Sequence, residues 1–133
     1  MKFIPPLLLI ASFILYAGCA SSSSVTQERP GTSVNVHNPN LGLDDYLNRL
    51  SGVRVFGKGQ YARVQIRGGS SFELPHTPLF ILDGIRLGRD FSSVYRMVDM
   101  NKVNTVRVLN TSRATFLYGH DGYAGAIEIL TEE

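Results

Sequence analysis

The sequence predicts an α+β domain in which a small mixed β-sheet is flanked by two or three short helices. Three stretches carry that expectation. From Val103 to Thr131 the chain reads as strand, short helix, glycine-punctuated turn and strand. Val103, Val106 and Val108 lead into an Ala114–Tyr118 helical turn, Gly119, Gly122 and Gly125 break it, and Ala126, Ile127 and Ile129 resume an apolar alternation. From Leu79 to Leu87 two apolar runs flank Asp83–Gly84, a strong hairpin signal because both central residues of the tight turn take positive φ. From Leu41 to Leu50, Leu43, Leu47 and Leu50 fall with Tyr46 on one helical face.

The chain opens on a different kind of segment. Lys2 supplies a positive start, Phe3 to Tyr16 is an apolar run, and Ala17–Gly18 place small residues just before Cys19. The run is too short to span a bilayer comfortably and has signal-peptide anatomy. LYAGC resembles a bacterial lipobox, with Tyr16 where Leu is usual, so Cys19 is expected to be acylated and to become the mature N-terminus. It is the only cysteine in the chain. A disulfide within one chain is therefore impossible, and acylation accounts for a thiol that an ordinary cleaved signal would leave unexplained. Each buried acyl methylene contributes about 0.8 kcal/mol, so several chains make a durable anchor. Ala20 rather than Asp follows the cysteine. By resemblance to the usual sorting pattern this favours the outer membrane, and the lack of an acidic cluster after it favours the periplasmic face.

The expected division is 1–18 signal peptide, 19–40 lipidated flexible tether and 41–133 folded domain. The tether is polar and rich in breakers, with four consecutive serines, Arg29–Pro30–Gly31 and Asn38–Pro39–Asn40. Within it Ser33–Val36 alternates as a linker or edge strand would. The Leu41–Leu50 helix has Asn40 as its expected N-cap, Asp44 and Asp45 in the first turns where the dipole favours acid, and Ser51–Gly52 as its stop. Val53–Phe56 begins a strand, Gly57–Lys58–Gly59 turns it, and Ala62–Arg67 returns with Val64 and Ile66 on the buried face. A loop with two prolines follows, from Ser70 to Pro78. Phe91, Val94 and Val98 share one face of a short helix that Asp90 and Ser92–Ser93 can cap.

Several of these stretches resemble the plug domain of TonB-dependent outer-membrane receptors, especially the nutrient-uptake branch that includes the starch-utilisation receptors. The closing unit is similar to that family's "IESIEVLK", "ASALYG" and "GANGVI-I-T", PLFILDGIRL to its "PLFVLDGVPV", and Ile66–Arg67–Gly68 to its "IRG". YLNRLSGV is similar to its "L..LLRRLPGV" helix. The resemblance covers Leu41 to Thr131 and implies a plug-like fold, with Arg67, Gly68, Asp83, Gly84, Tyr118, Gly119 and Gly125 as family-motif positions. In the family the arginine of "IRG" helps hold the plug inside its barrel. Here Arg67 reads as a solvated strand-face arginine. Arg107 stands where the family often has Glu and Asn110 where Lys is usual, so family salt bridges are not carried over. Ser33–Val36 also matches the place of the segment that such receptors offer to their energising protein.

A membrane barrel needs many strands of roughly ten residues, for which this chain has no room. The expected function is a lipid-anchored stand-alone plug-like domain, a non-enzymatic interaction or accessory module for outer-membrane receptors and nutrient uptake. Its expected partners are the membrane, through the anchor, and an outer-membrane receptor barrel or energising-complex protein. Direct capture of a small ligand, a carbohydrate or metal chelate, is the alternative, as is a structural remnant of a receptor.

Nothing in the residues calls for catalysis or a cofactor. His37, His76 and His120 lie in the tether, the proline loop and the glycine turn, and no two stand at a metal-ligand spacing. His120–Asp121 reads as a turn pair in solvent, since no nucleophile motif accompanies it. Thirteen basic residues face eleven acidic ones with no basic run, so nucleic acid is not an expected partner. A binding role would sit on exposed loops: Phe72, Glu73 and His76 in one, His120, Asp121 and Tyr123 in the other. Tyr61, Phe72, Tyr95 and Tyr123 offer rings for stacking, although aromatics in a small domain more often fill the core.

Overall fold

A computed structural model describes residues 31–67 and 77–132. Cys19, Gly68, Phe72, Glu73 and His76 lie outside the described residues. Among the described residues seven strands form: β1 (Ser33–Asn35), β2 (Val53–Phe56), β3 (Arg63–Ile66), β4 (Leu79–Leu82), β5 (Ile85–Gly88), β6 (Val103–Leu109) and β7 (Ala126–Thr131). Three helices accompany them: α1 (Leu43–Leu47), α2 (Phe91–Met97) and α3 (Thr111–Tyr118). Among the described residues no helix is long and apolar enough to cross a membrane.

Five strands make a mixed sheet in the order β1-β6-β7-β4-β5. Only β4 and β7 run parallel, with Leu79 opposite Ala126 and Leu82 opposite Ile129. The α+β class with a mixed sheet is as expected. The hairpin β2–β3, however, does not join that sheet but stands as a two-stranded sheet of its own. Alternation along Val64 and Ile66 says which face is buried, not what covers it. Here the buried face packs against the larger sheet, where a Cβ on Gly125 would come within 2.9 Å of Ile66 Cδ1.

The larger sheet is covered on both faces. Ile127 and Ile129 of β7, with Val106 and Val108 of β6 and Phe80 of β4, join Leu43, Leu47, Val64, Ile66, Phe91 and Val94 in the main core. The alternate residues Ile81, Leu109 and Ala126 pack against Ala114 of α3, with Tyr118 at the margin. Each fully buried Leu, Ile or Phe contributes on the order of 2 kcal/mol, so the stack of hairpin and helices, sheet, and α3 is held mainly by the main core.

Local chemistry explains most boundaries. Asp83 (φ 46) and Gly84 (φ 82) are both left-handed, as the two-residue turn between β4 and β5 requires. Asp90 caps α2 by accepting from the Ser92 and Ser93 amides, and Asn110 caps α3 by accepting from the Arg113 amide. The first helix departs from expectation. It spans only Leu43–Leu47, and Gly42 rather than Asn40 occupies its cap without a side-chain bond. Asn40 instead donates its amide to Asn38 Oδ1, a local turn that competes with capping. Asp44 is buried and accepts from the Gly59 amide at 2.9 Å, tying α1 to the hairpin.

The glycines of the closing unit serve two different purposes. Gly119 (φ 65) and Gly125 (φ 81) need the left-handed backbone. Gly122 does not: a Cβ there would sit 2.2 Å from the Ala114 carbonyl, so its role is to let the turn touch α3.

Candidate functional site

The starts of β4, β7 and β1 and the ends of β5 and β6 share one end of the larger sheet, since Leu79 and Leu109 both face Ala126 and Phe80 faces Gly88. This upper end receives the proline loop at Thr77 and the 3-10 turn Gly119–Gly122. The opposite, lower end carries the Asp83–Gly84 turn.

Arg89, just beyond β5, fastens the upper end together. Its Nη1 donates to the Thr77 carbonyl at 2.6 Å and its Nη2 to the Asp121 carbonyl at 2.5 Å. The same guanidinium lies 4.3 Å from the centre of the Tyr123 ring, and that ring is 5.4 Å from His120. Arg86 of β5 pairs with Asp121 at 2.9 Å and lies over the Tyr118 ring at 5.7 Å. His120, Asp121 and Tyr123 are thus gathered on one surface with the last described residues of the proline loop.

Beneath this surface sits a buried carboxylate. Glu128 is directly across from Arg107 in the β6–β7 register and pairs with its Nε. Tyr118 donates its hydroxyl to the other carboxylate oxygen at 2.5 Å. Burial first, and then the Glu128 carboxylate beside it, pushes the Tyr118 phenol up to about 12. The chain therefore carries its own ion pair at the position where Arg107 departs from the family motif.

The remaining motif positions are dispersed. Arg67 is exposed just past β3 and donates its amide to the Gly52 carbonyl. Asp83 and Gly84 are at the lower end, where the Asp83 carboxylate accepts from the Thr131 amide and hydroxyl, each at 2.8 Å. Of the four rings with stacking potential, Tyr95 packs edge-on against Phe91 and Tyr123 lies under Arg89, while Phe72 is outside the described residues. Tyr61 is 81 % exposed. It stands beside a cleft of about 320 Å³ with Gln60, Gln65, Thr77 and Asp90 in its walls.

Sequence reasoning missed Arg86, Arg89 and Glu128. Arg86 had a signal, because IRL replaces the "VPV" of the family motif. Glu128 had one too, as an acid inside an apolar alternation one strand away from an unusual arginine. Arg89 had none, since its partners are backbone carbonyls remote in sequence.

With this geometry in view, comparison with known proteins assigns the fold a family. The TonB-dependent Receptor Plug Domain model matches residues 20–126. The chain belongs to the TonB-dependent receptor plug domain family. This plug domain is 30% identical over 117 residues to TonB-dependent receptor P26 of Formosa agariphila, covering 84% of the chain and 11% of that protein. It is 30% identical over 98 residues to TonB-dependent receptor SusC of Bacteroides thetaiotaomicron, covering 68% of the chain and 10% of that receptor. The plug domain thus spans about a tenth of the length of these relatives.

Solved structures share the fold. The RagAB peptide importer in its closed-closed state superposes with a TM-score of 0.53 at 22% identity, over 77% of the plug domain and 12% of that chain. A ferric enterobactin receptor of Pseudomonas aeruginosa in complex with enterobactin superposes at 0.58 and 20% identity, over 81% and 18%.

Proposed function

We propose that this plug domain is a non-enzymatic interaction module for outer-membrane nutrient uptake, held at the periplasmic face by acylated Cys19, and that its upper end is the contact surface. The observation that carries the reading is the Arg89 staple. One guanidinium binds Thr77 and Asp121 across 44 residues of chain and stacks on Tyr123, so two loops become one preformed surface. A preformed surface binds with less ordering cost than separate loops. The lipid anchor rests on the LYAGC motif and the otherwise unexplained cysteine. Nutrient uptake as the setting, and a receptor barrel or energising-complex protein as the partner, rest on family membership.

The test is a pull-down of the acylated protein from detergent-solubilised outer membranes, with Cys19→Ala as control. Recovery of a receptor barrel or energising protein, weakened in the control, supports the reading. A correctly localised protein that recovers neither overturns it. A second reading, direct capture of a carbohydrate or chelate, is favoured by the cleft beside the exposed Tyr61. Saturable quenching of tyrosine fluorescence by a sugar, lost in Tyr61→Ala, would select it.

A further inference from the structure

We propose that the solvent face of the β2–β3 hairpin, with the cleft beside it, binds an acidic oligosaccharide, its anionic groups held by Arg54, Arg63 and Arg67 and a sugar ring by Tyr61. This rests on the small-ligand reading of the cleft given above, and adds to it the class of ligand.

The first argument is that these groups share one surface. In the antiparallel register Arg54 is opposite Gln65 and Phe56 opposite Arg63, while Val64 and Ile66 turn into the main core. Side chains alternate between the two faces of a strand, so Arg54, Phe56, Arg63 and Gln65 stand together on the outer face. The ladder continues by one pair, since the Arg67 amide donates to the Gly52 carbonyl, and this puts Arg67 on the same face. Arg63, Gln65 and Arg67 follow one another along it about 7 Å apart. Arg63 and Gln65 also line the cleft, together with Gln60 and Tyr61. The row of arginines and the cleft are therefore continuous.

The second argument is charge. From Tyr46 to Arg67 the chain carries Arg49, Arg54, Lys58, Arg63 and Arg67 and no acidic residue. Arg54, Arg63 and Arg67 are all exposed, and among the described residues no carboxylate pairs with any of them. The opposite wall of the cleft carries Asp90, whose carboxyl the Ser93 hydroxyl holds below its ordinary value. An anionic group entering the cleft is thus repelled from the α2 side and drawn to the hairpin side. There the planar guanidinium groups can grip a carboxylate or sulfate through paired hydrogen bonds.

The third argument decides the kind of anion. Gln60, Gln65 and Thr77 offer amide and hydroxyl groups of the type that hydrogen-bond sugar hydroxyls, and Tyr61 offers an exposed ring for a sugar to stack on. An acidic peptide would gain most by adding a strand to β3. That edge is closed: the register turns the main-chain groups of Val64 and Ile66 towards it, and these residues are only 1 % and 7 % exposed.

The experiment titrates the full chain, held in neutral detergent, with a galacturonic acid oligomer, a neutral maltose oligomer of the same length, and poly-L-glutamate. The expected result is binding of the galacturonic acid oligomer about tenfold tighter than of either other ligand, weakening as salt is raised. Arg54→Gln/Arg63→Gln/Arg67→Gln should lose most of that binding and Tyr61→Ala should weaken it severalfold. Arg113→Gln, on the other side of the larger sheet, should leave it unchanged. Equal binding of the maltose oligomer overturns the acidic class while the small-ligand reading of the cleft stands. Binding of neither sugar overturns both. Poly-L-glutamate binding as tightly as the galacturonic acid oligomer overturns the proposal in favour of an acidic protein segment. The three-ligand comparison on the parent protein decides even if the triple variant folds poorly.

Discussion

The two ends of the larger sheet are closed by different means. At the lower end a two-residue turn with both residues left-handed joins adjacent strands, and the Asp83 side chain at the end of β4 binds Thr131 of the neighbouring strand β7. Among the described residues of the upper end no two-residue turn joins adjacent strands. There Arg89 reaches two carbonyls, Arg86 reaches Asp121, and Gly122 lets a 3-10 turn press against α3. The lower end has a tight turn set by adjacent residues and braced by one side chain, whereas the upper end rests on side-chain bonds and a close backbone contact alone. Closure by local chemistry leaves little to vary, whereas closure by exposed side chains leaves a surface whose contacts can change without disturbing the sheet.

The comparison breaks most sharply at Gly122. Gly122→Ala places a methyl group inside van der Waals range of the α3 backbone, which cannot yield as a flexible side chain would. The expected cost is about 3 kcal/mol, from overpacking against a rigid neighbour. Urea denaturation should show it as a lower midpoint, and a loss under about 1 kcal/mol would mean that α3 and the turn are not in firm contact.

A paired measurement sharpens the contrast. Asp83→Ala removes two hydrogen bonds and leaves a non-glycine residue with positive φ, so the expected loss is about 2 kcal/mol. Arg89→Ala removes bonds that are partly open to solvent, and about 1 kcal/mol is expected. Hydrogen exchange separates the two variants: Asp83→Ala should loosen Thr131 and the turn, while Arg89→Ala should loosen Gly119–Tyr123 with the sheet unchanged. Sheet-wide loss of protection in Arg89→Ala would show that the upper loops are not separable from the core.

The smallest effect concerns pH. The Tyr118 phenol is raised to about 12, by burial and then by the Glu128 carboxylate. A raised folded value means that its contribution to stability is full below the ordinary tyrosine range near 10 and is lost as pH climbs through about 12. Tyr118 should form phenolate well above the ordinary tyrosine range in a spectrophotometric titration. In Glu128→Gln its titration should move down, and an unchanged curve would sink the assignment.

The same contrast separates what the amino-acid order reveals from what it hides. The Asp83–Gly84 turn, the Asp90 cap and the β6–α3–β7 unit depend on residues a few positions apart, and each is readable from spacing, whereas Ser33–Asn35, inside the expected 19–40 tether, is a strand only through its pairing with β6. The detached β2–β3 sheet is not readable either, because a half-buried strand shows the same alternation whichever layer covers it. Asp44 looked like an ordinary acid in a helix's first turn, yet its acceptor role is set by Gly59, fifteen positions on. At the candidate surface His120, Asp121 and Tyr123 stood out as an exposed turn, whereas Arg89 is recognised only once Thr77 and Asp121 face each other. Glu128 was screened by the apolar residues on either side of it, which belong to the opposite face of β7.

The position of β7 also has a consequence for how the sheet can assemble. This strand lies in the middle of the five, between β6 and the parallel β4, yet it is the last of them to be translated. Until residues 126–131 are in place, β5–β4 and β1–β6 are two unconnected pairs, each with an open edge where β7 belongs. Two-stranded pieces of this size are marginal in water, so neither pair is expected to be stable without β7. One strand thus bridges the two halves of the sheet, and neither half is complete without it.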